Sequence, residues 1–174
     1  MGVYAILADS LCYPSFGRMA ALQAGLSMLS DGVVKTAFNQ FIAGITDLSL
    51  GEWEELYTRT LDLNPPAAPY IGYQTWGDSY QRGTFLSMMN RALAAHQVDS
   101  EGELPDHLIP VLRLLDALEE PFPELSEVLA PAVERIHAAL AKAEPANPYL
   151  LLIEAISLAC TSTARTPAPT PSKN

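Results

Sequence analysis

The sequence predicts an all-α fold, a single-domain helical bundle. Apolar residues recur at three- and four-residue spacing along almost the whole chain, whereas the alternating pattern of half-buried strands is nearly absent. The 174 residues, 49% of them hydrophobic, match the usual size of one domain and suffice for one packed core. We therefore expect a helical domain over residues 1–160 and a disordered tail over residues 161–174, which is rich in Thr, Pro, Ser and Ala.

Apolar stripes and stop signals define four helices in the first third of the chain. A short helix ends at Tyr13-Pro14, because the residue before a proline avoids helical torsions. Asp31-Gly32 separates the second helix from the third, and Ser49 with Glu52 forms the capping box of the fourth. The stripes are Tyr4, Leu7, Ala8 and Leu11; Met19, Leu22, Leu26 and Leu29; Val34, Phe38, Phe41, Ile42 and Ile45; and Trp53, Leu56, Tyr57 and Leu61.

The middle of the chain combines a loop, a helix and a linker. Three prolines in Asn64–Pro69 fix φ and remove donors, so we expect an extended loop there. A helix should follow from about Thr75, with Trp76 and Tyr80 on its opening turns. The polar residues 96–103 are expected to form a linker.

Prolines divide the last third into helices. A helix is expected from Asp106 onward, ending before Pro121 and Pro123. Pro131 is expected to begin a fresh helix, because within a helix it would remove a hydrogen bond. Asn147-Pro148 provides an N-cap and a first-turn proline for the final helix.

Composition narrows the class of function. Twenty acidic against 10 basic residues give a net charge of -10, which disfavours nucleic acid and anionic membranes as partners and favours basic peptides, although it also serves solubility. The N-terminus lacks the basic residues of a secretory signal, and no apolar run is long enough to cross a bilayer. We expect a cytoplasmic protein without direct membrane insertion. Cys12 and Cys160 suggest no disulfide framework or zinc site.

Signals of catalysis are missing from the sequence. His96, His107 and His137 are scattered without metal-ligand spacing, and neither a phosphate-binding loop nor a G-x-S-x-G turn is present. We expect a binding protein that is not an enzyme and has no catalytic residue, metal or cofactor of its own.

Two groups of side chains could form a binding site. Tyr70, Tyr73, Trp76 and Tyr80 follow the proline-rich loop, where aromatic rings could grip an apolar helical peptide or simply cover the core. The pair Asp106-His107 could bind a basic peptide and respond to pH near neutrality, or Asp106 could cap the predicted helix. Arg82, in the polar stretch 77–83, could instead pair with an internal acid and hold two helices together.

Four segments together resemble a known family. They are Glu54–Asp62, Asn64–Tyr70, Trp76–Leu86 and Glu103–Leu112. Their order and spacing are similar to those of the TorD/DmsD/NarJ family of molybdoenzyme maturation chaperones, nearest the nitrate reductase delta-subunit branch. The resemblance implies an all-helical chaperone that binds the N-terminal or leader peptide of the apo catalytic subunit of a molybdenum oxidoreductase. It further implies that the chaperone assists molybdenum cofactor insertion before membrane attachment or export.

The resemblance also implies the position of a peptide-binding site. Asp106 and His107 match the family's Asp-His pair. The residues that match the loop region beside it are Tyr57, Asp62, Pro69, Tyr70 and Trp76. Thr60-Leu61-Asp62 and Ile71-Gly72-Tyr73 depart from the family pattern, which leaves the client undetermined. With the aromatic and polar groups above, the predicted peptide-binding residues are Tyr57, Asp62, Pro69, Tyr70, Trp76, Tyr80, Arg82, Asp106 and His107.

Two other functions remain open at this stage. A permanent, non-catalytic structural subunit of an oxidoreductase complex would have the same composition. A weak nucleotide hydrolase could use Asp106 and His107, but it would lack phosphate ligands and a metal site. The sequence also leaves open whether the chain forms a homodimer.

Overall fold

The structure confirms the all-α prediction. The computed structural model describes residues 1–63 and 67–163, which form nine α-helices and no β-strand. Residues 64–66 of the predicted proline loop and residues 164–174 of the predicted tail lie outside the described residues. The helices are α1 (Val3–Ser10), α2 (Arg18–Met28), α3 (Val33–Ile45), α4 (Leu50–Tyr57), α5 (Ile71–Trp76), α6 (Tyr80–Ala95), α7 (Leu108–Ala117), α8 (Pro123–Ala143) and α9 (Tyr149–Thr163).

The helices share one hydrophobic core. Helix α9 packs against α1, α3 and α8, while α1 packs in turn against α7 and α5 packs against α8. Tyr149 at the start of α9 is fully buried, and its hydroxyl accepts a hydrogen bond from Trp53 Nε1 at 3.0 Å. Buried side chains from all nine helices belong to one continuous cluster. Within the described ranges, no helix is long and apolar enough to cross a bilayer.

Two predicted caps are present. Ser49 Oγ accepts from the Glu52 amide at 3.3 Å, and Glu52 Oε2 accepts from the Ser49 amide at 2.8 Å, which completes the capping box of α4. Asn147 Oδ1 accepts from the Tyr149 amide at 2.9 Å at the start of α9. Helix α9 continues to Thr163, so residues 161–163 of the predicted tail are helical.

The single helix predicted from about Thr75 is wrong, because the segment contains two helices. Helix α5 ends at Trp76, and Gly77 follows with φ +59°, a conformation that favours glycine. Ser79 then caps α6, with its hydroxyl accepting from the Arg82 amide at 3.5 Å. Gly77 and Ser79 therefore act as a stop and a start signal in the middle of a continuous apolar pattern.

The fresh helix predicted at Pro131 is also wrong. Helix α8 runs without interruption from Pro123 to Ala143, and Pro131 lies inside it on the solvent side. The buried stripe continues past the proline, with Val128 and Leu129 before it and Ala132 and Val133 after it. Burial of this stripe outweighs the loss of one backbone hydrogen bond at an exposed position.

A five-residue π-helix, Thr58–Asp62, directly follows α4. Its closing bond runs from the Leu63 amide to the Thr58 carbonyl over 2.9 Å, a spacing of five residues. The apolar stripe predicted for the fourth helix extends through Leu61. The wider turn leaves Leu61 buried but carries Asp62 and Leu63 to the surface.

Candidate functional site

A buried ion pair joins two of the predicted site residues. Asp106 is fully buried, and its carboxylate accepts from Arg82 Nε at 2.9 Å and from Arg82 Nη2 at 3.3 Å. This bidentate arrangement is the strongest geometry available to an arginine and a carboxylate, and it raises the pKa of Arg82. Gly72 lies so close that a Cβ there would be 2.6 Å from Asp106 Oδ2. The Asp106 carboxylate is therefore occupied from within the fold and inaccessible to a partner.

Backbone pairing holds the loop after residue 67 against the start of α7. The Pro69 carbonyl accepts from the Leu108 amide, and the Ile71 amide donates to the Asp106 carbonyl, both at 2.8 Å. An antiparallel bridge between Tyr70 and His107 lies between these two bonds. The buried Pro69 therefore acts through its backbone carbonyl.

Aromatic rings enclose the Arg82 guanidinium. The centroids of Tyr70 and Tyr73 lie 5.8 Å and 5.4 Å from its central carbon, and the Tyr70 ring packs edge-on against His107 at 4.9 Å. We call Tyr70, Tyr73, Arg82, Asp106 and His107 the Arg82 cluster. Its ion pair and ring contacts join α5, α6 and the start of α7, as the alternative interpretation of Arg82 expected.

His107, rather than Asp106, caps α7. Its Nδ1 accepts from the Ile109 amide at 3.1 Å, so Nδ1 carries no proton in this structure. Burial lowers the pKa of His107 to about 4. The expected response to pH near neutrality is therefore contradicted, and the predicted capping role passes from Asp106 to its neighbour.

The predicted aromatic group divides into separate environments. Tyr70 and Tyr73 belong to the Arg82 cluster, whereas Trp76 is half-buried and packs on Phe85 with ring centroids 5.2 Å apart. Tyr80 is 89% exposed on the first turn of α6. The four rings therefore do not form one shared binding surface.

A groove of about 450 Å³ lies beside the Arg82 cluster. Three separate parts of the chain form it: the α1–α2 loop, the end of α4 with its π-helix, and the loop that leads into α7. Its lining residues are Cys12, Tyr13, Pro14, Ser15, Arg18, Tyr57, Asp62, Glu101, Glu103 and Ile109. Two of the predicted site residues, Tyr57 and Asp62, belong to this groove.

Tyr57 forms part of the groove's floor. Its side chain is 5% exposed, and its hydroxyl donates to the Leu11 carbonyl at 3.0 Å. The Tyr13 ring packs edge-on against it, with centroids 5.1 Å apart. Burial raises the pKa of Tyr57, and the negative charge of Asp62 contributes to the same shift.

The three carboxylates of the groove differ in how far they are neutralised. Glu101 Oε1 forms an ion pair with Arg113 Nη1, whereas Glu103 Oε2 accepts a hydrogen bond from the neutral Tyr70 hydroxyl at 3.3 Å and has no ion pair within the described part of the chain. Asp62 has no ion-pair partner within residues 1–63 and 67–163, and partial burial raises its pKa. Arg18 is the basic residue of the lining. Within the described residues, Asp62 and Glu103 are therefore the groove carboxylates without an ion-pair partner, and together they outnumber the single positive charge of Arg18.

Several exposed apolar side chains either line the groove or directly follow a lining residue in sequence. Tyr13 lines it and is 49% exposed, and Phe16, which directly follows the lining residue Ser15, is 99% exposed. Leu63 follows Asp62 and is 72% exposed, while Leu104 follows Glu103 and is 48% exposed. We call Tyr13, Phe16, Leu63 and Leu104 the apolar rim. Exposed apolar groups adjacent in sequence to residues that line a concave site are typical of a binding surface.

Sequence reasoning missed several residues of the groove. Tyr13-Pro14 was interpreted only as a helix stop, and residues 96–103, which include Glu101, were interpreted as a linker. Two aromatic residues within the short segment Tyr13–Phe16 could have indicated an exposed apolar patch, which is more informative than a single exposed apolar residue. Glu103, which the sequence analysis does not include among the predicted site residues, also lines the groove.

Within the described part of the chain, no group of three or more His, Cys, Asp or Glu side chains is arranged to hold a metal ion. Neither a scan against protein-family models nor a search of curated proteins found a match to this chain.

Proposed function

We propose that this chain is a peptide-binding chaperone whose groove takes a basic, partly apolar segment of a client protein. The observation that supports this is that two groove carboxylates without an ion-pair partner in the described residues, Asp62 and Glu103, are each followed in sequence by an exposed leucine of the apolar rim. A cation of the client would lie between the carboxylates. Its apolar side chains would cover rim residues such as Phe16 and Leu63.

Both parts of this surface favour the same type of ligand. Burial of the rim against a peptide contributes roughly 25 cal/mol per Å² of apolar area, which offsets the cost of ordering a flexible segment. The net charge of -10 attracts basic segments over a longer range and raises their rate of association. The negative charge of the protein thus selects basic segments, and contact with the apolar rim contributes most of the binding free energy.

The client in this proposal is the apo catalytic subunit of a molybdenum oxidoreductase, nitrate reductase or a relative, bound through its N-terminal or leader peptide. This assignment rests on the resemblance of four segments to the TorD/DmsD/NarJ chaperones. The chain would retain the client in the cytoplasm until its molybdenum cofactor is inserted and would then release it for membrane attachment or export. It performs no catalysis and needs no cofactor of its own.

The Arg82 cluster has a supporting role in this scheme. Its contacts fix the segment 69–71 against the start of α7. Tyr70 is held there by the bridge to His107 and orients Glu103 through its hydroxyl. The cluster thereby places Glu103 without contacting the peptide.

A purification from the native host tests this function. Tagged wild-type protein should recover an oxidoreductase catalytic subunit that contains no molybdenum. The double variant Asp62→Asn/Glu103→Gln should recover much less of it, because both carboxylate charges are removed. Glu101→Gln is the matched control, since Arg113 already neutralises that carboxylate, and it should recover the client as the wild type does.

Other outcomes would contradict the proposal. A stable complex with a molybdenum-loaded subunit would identify the chain as a permanent structural subunit. Recovery of no oxidoreductase subunit by the wild type would contradict the assignment of the client. Equal recovery by wild type and double variant would show that the groove's charges do not bind it.

A further inference from the structure

We infer that a buried hydrogen bond outside the groove, from Asn147 to Thr60, holds the π-helix in its wide turn and thereby places Asp62 in the groove. Thr60 and Asn147 are then positioning residues for peptide binding, although neither lines the groove. The inference rests on the proposed function, because it assigns to Asp62 the selection of a basic ligand.

The bond joins positions 87 residues apart in the chain. Asn147 Nδ2 donates to Thr60 Oγ1 at 2.8 Å, and the two residues are 5% and 0% exposed. Asn147 is itself held in place, since its Oδ1 accepts from the Tyr149 amide at 2.9 Å and its Nδ2 also donates to Glu144 Oε2 at 3.1 Å. The turn between α8 and α9 therefore presents a fixed donor to the middle of the π-helix.

The π-helix is the element that decides where Asp62 points. Its bond from Leu63 to Thr58 encloses one residue more than an α-helical turn would. In an α-helix of about 3.6 residues per turn, a shift of one residue rotates a side chain by about 100°. A return to α-helical geometry would therefore turn Asp62 away from the groove that it lines.

Within the described residues, the Thr60 hydroxyl has no other hydrogen-bond partner that would hold this turn. A valine at position 60 keeps the shape of the side chain but leaves the Asn147 donor without its buried acceptor, which favours a rearrangement of the turn. A serine keeps the hydroxyl and loses only a methyl group. The two substitutions thus separate the hydrogen bond from simple packing.

The test uses the full chain and two short synthetic peptides of leucine and alanine that differ at one position. One peptide carries an arginine there, and its twin carries citrulline, which is similar in shape but uncharged. By titration calorimetry the wild type should prefer the arginine peptide by about tenfold, as expected for one partly desolvated charge pair. Thr60→Val should lose most of this preference while binding the citrulline peptide as the wild type does, and Thr60→Ser should keep the preference.

A second measurement distinguishes positioning from general damage. Thr60→Val should add no further loss to Asp62→Asn, because both act through the same carboxylate. Should Thr60→Val fail to fold, as judged by circular dichroism, Thr60→Ala is measured in the same way. Full preference for arginine in a folded variant without the hydroxyl would overturn the inference and leave the proposed function intact. An unchanged preference in Asp62→Asn would overturn both.

Discussion

Asp106 is a buried carboxylate whose hydrogen-bond acceptors are both engaged by Arg82, so removal of the arginine leaves an uncompensated charge inside the protein. We expect Arg82→Met to lower the free energy of unfolding by about 3–5 kcal/mol. The matched control is Arg59→Met, which removes an exposed pair with Glu144 at 3.4 Å and should cost less than about 1 kcal/mol. Urea denaturation at neutral pH measures both, and similar losses in the two variants would contradict the assigned role.

His107 makes the stability of the fold depend on pH. Its pKa is about 4 in the folded chain against 6.5 for the free side chain, so between these values the unfolded chain binds a proton that the folded chain does not. Stability is therefore fully present above pH 6.5 and declines as the pH falls toward 4, by roughly 3 kcal/mol in total.

The variant His107→Asn isolates this effect. The asparagine Oδ1 takes the position of Nδ1 and can still accept from the Ile109 amide, but it cannot become charged, so the unfolding free energy of the variant should fall less steeply on acidification than that of the wild type. Urea denaturation at neutral pH and at about pH 5 measures the difference. Parallel losses in the two proteins would show that His107 does not carry this dependence.

At the scale of single residues, the sequence predicted which residues are important more accurately than it predicted their roles. The alternative given for Arg82, an internal ion pair, matches the structure, and Asp106 is its partner. The exchange of capping roles between Asp106 and His107 could not be predicted, because both side chains are suitable acceptors at a helix start. Because Asp106 is buried, His107 and not Asp106 caps the helix. The buried position of Asp106 depends on Gly72 and Arg82, which lie elsewhere in the chain.

At the scale of elements, Pro131 offers the clearest test. It lies on the exposed side of a continuous helix, where it removes one backbone hydrogen bond. We expect Pro131→Ala to raise the free energy of unfolding by about 1–2 kcal/mol. Alanine stabilises the helix relative to proline, but it also increases the entropy of the unfolded chain, which offsets part of that stabilisation. Thermal and urea unfolding measure the change. A loss of stability would indicate that the proline shapes α8 for its packing on α5 and α9.

The predicted and missed elements differ in the range of the interactions that define them. The capping box at Ser49 and the cap at Asn147 are local, and both were predicted from a few adjacent residues. The π-helix could not be predicted, because its buried partner Asn147 lies far away in the sequence. Pro131 was misassigned because a local rule was applied where burial of the α8 stripe prevails.

At the scale of the whole molecule, function depends on segments that only the fold brings together. The groove combines residues 12–18, 57–62 and 101–109, so no single stretch of sequence contains it. Composition predicted a basic partner from the net charge of -10 but not which carboxylates remain unpaired. Ion pairing with Arg113 removes Glu101 from that set, and only the packed structure reveals this.

The location of a bound peptide tests the central claim most directly. A short peptide with one arginine, leucines and a photoreactive phenylalanine would be cross-linked to the full chain and the attachment sites mapped by mass spectrometry. We predict cross-links at the apolar rim, on Tyr13, Phe16, Leu63 and Leu104, and their loss in Asp62→Asn/Glu103→Gln. Cross-links concentrated instead on the exposed residues Met28, Val33 or Tyr80, unaffected by the double variant, would contradict the groove as the binding site.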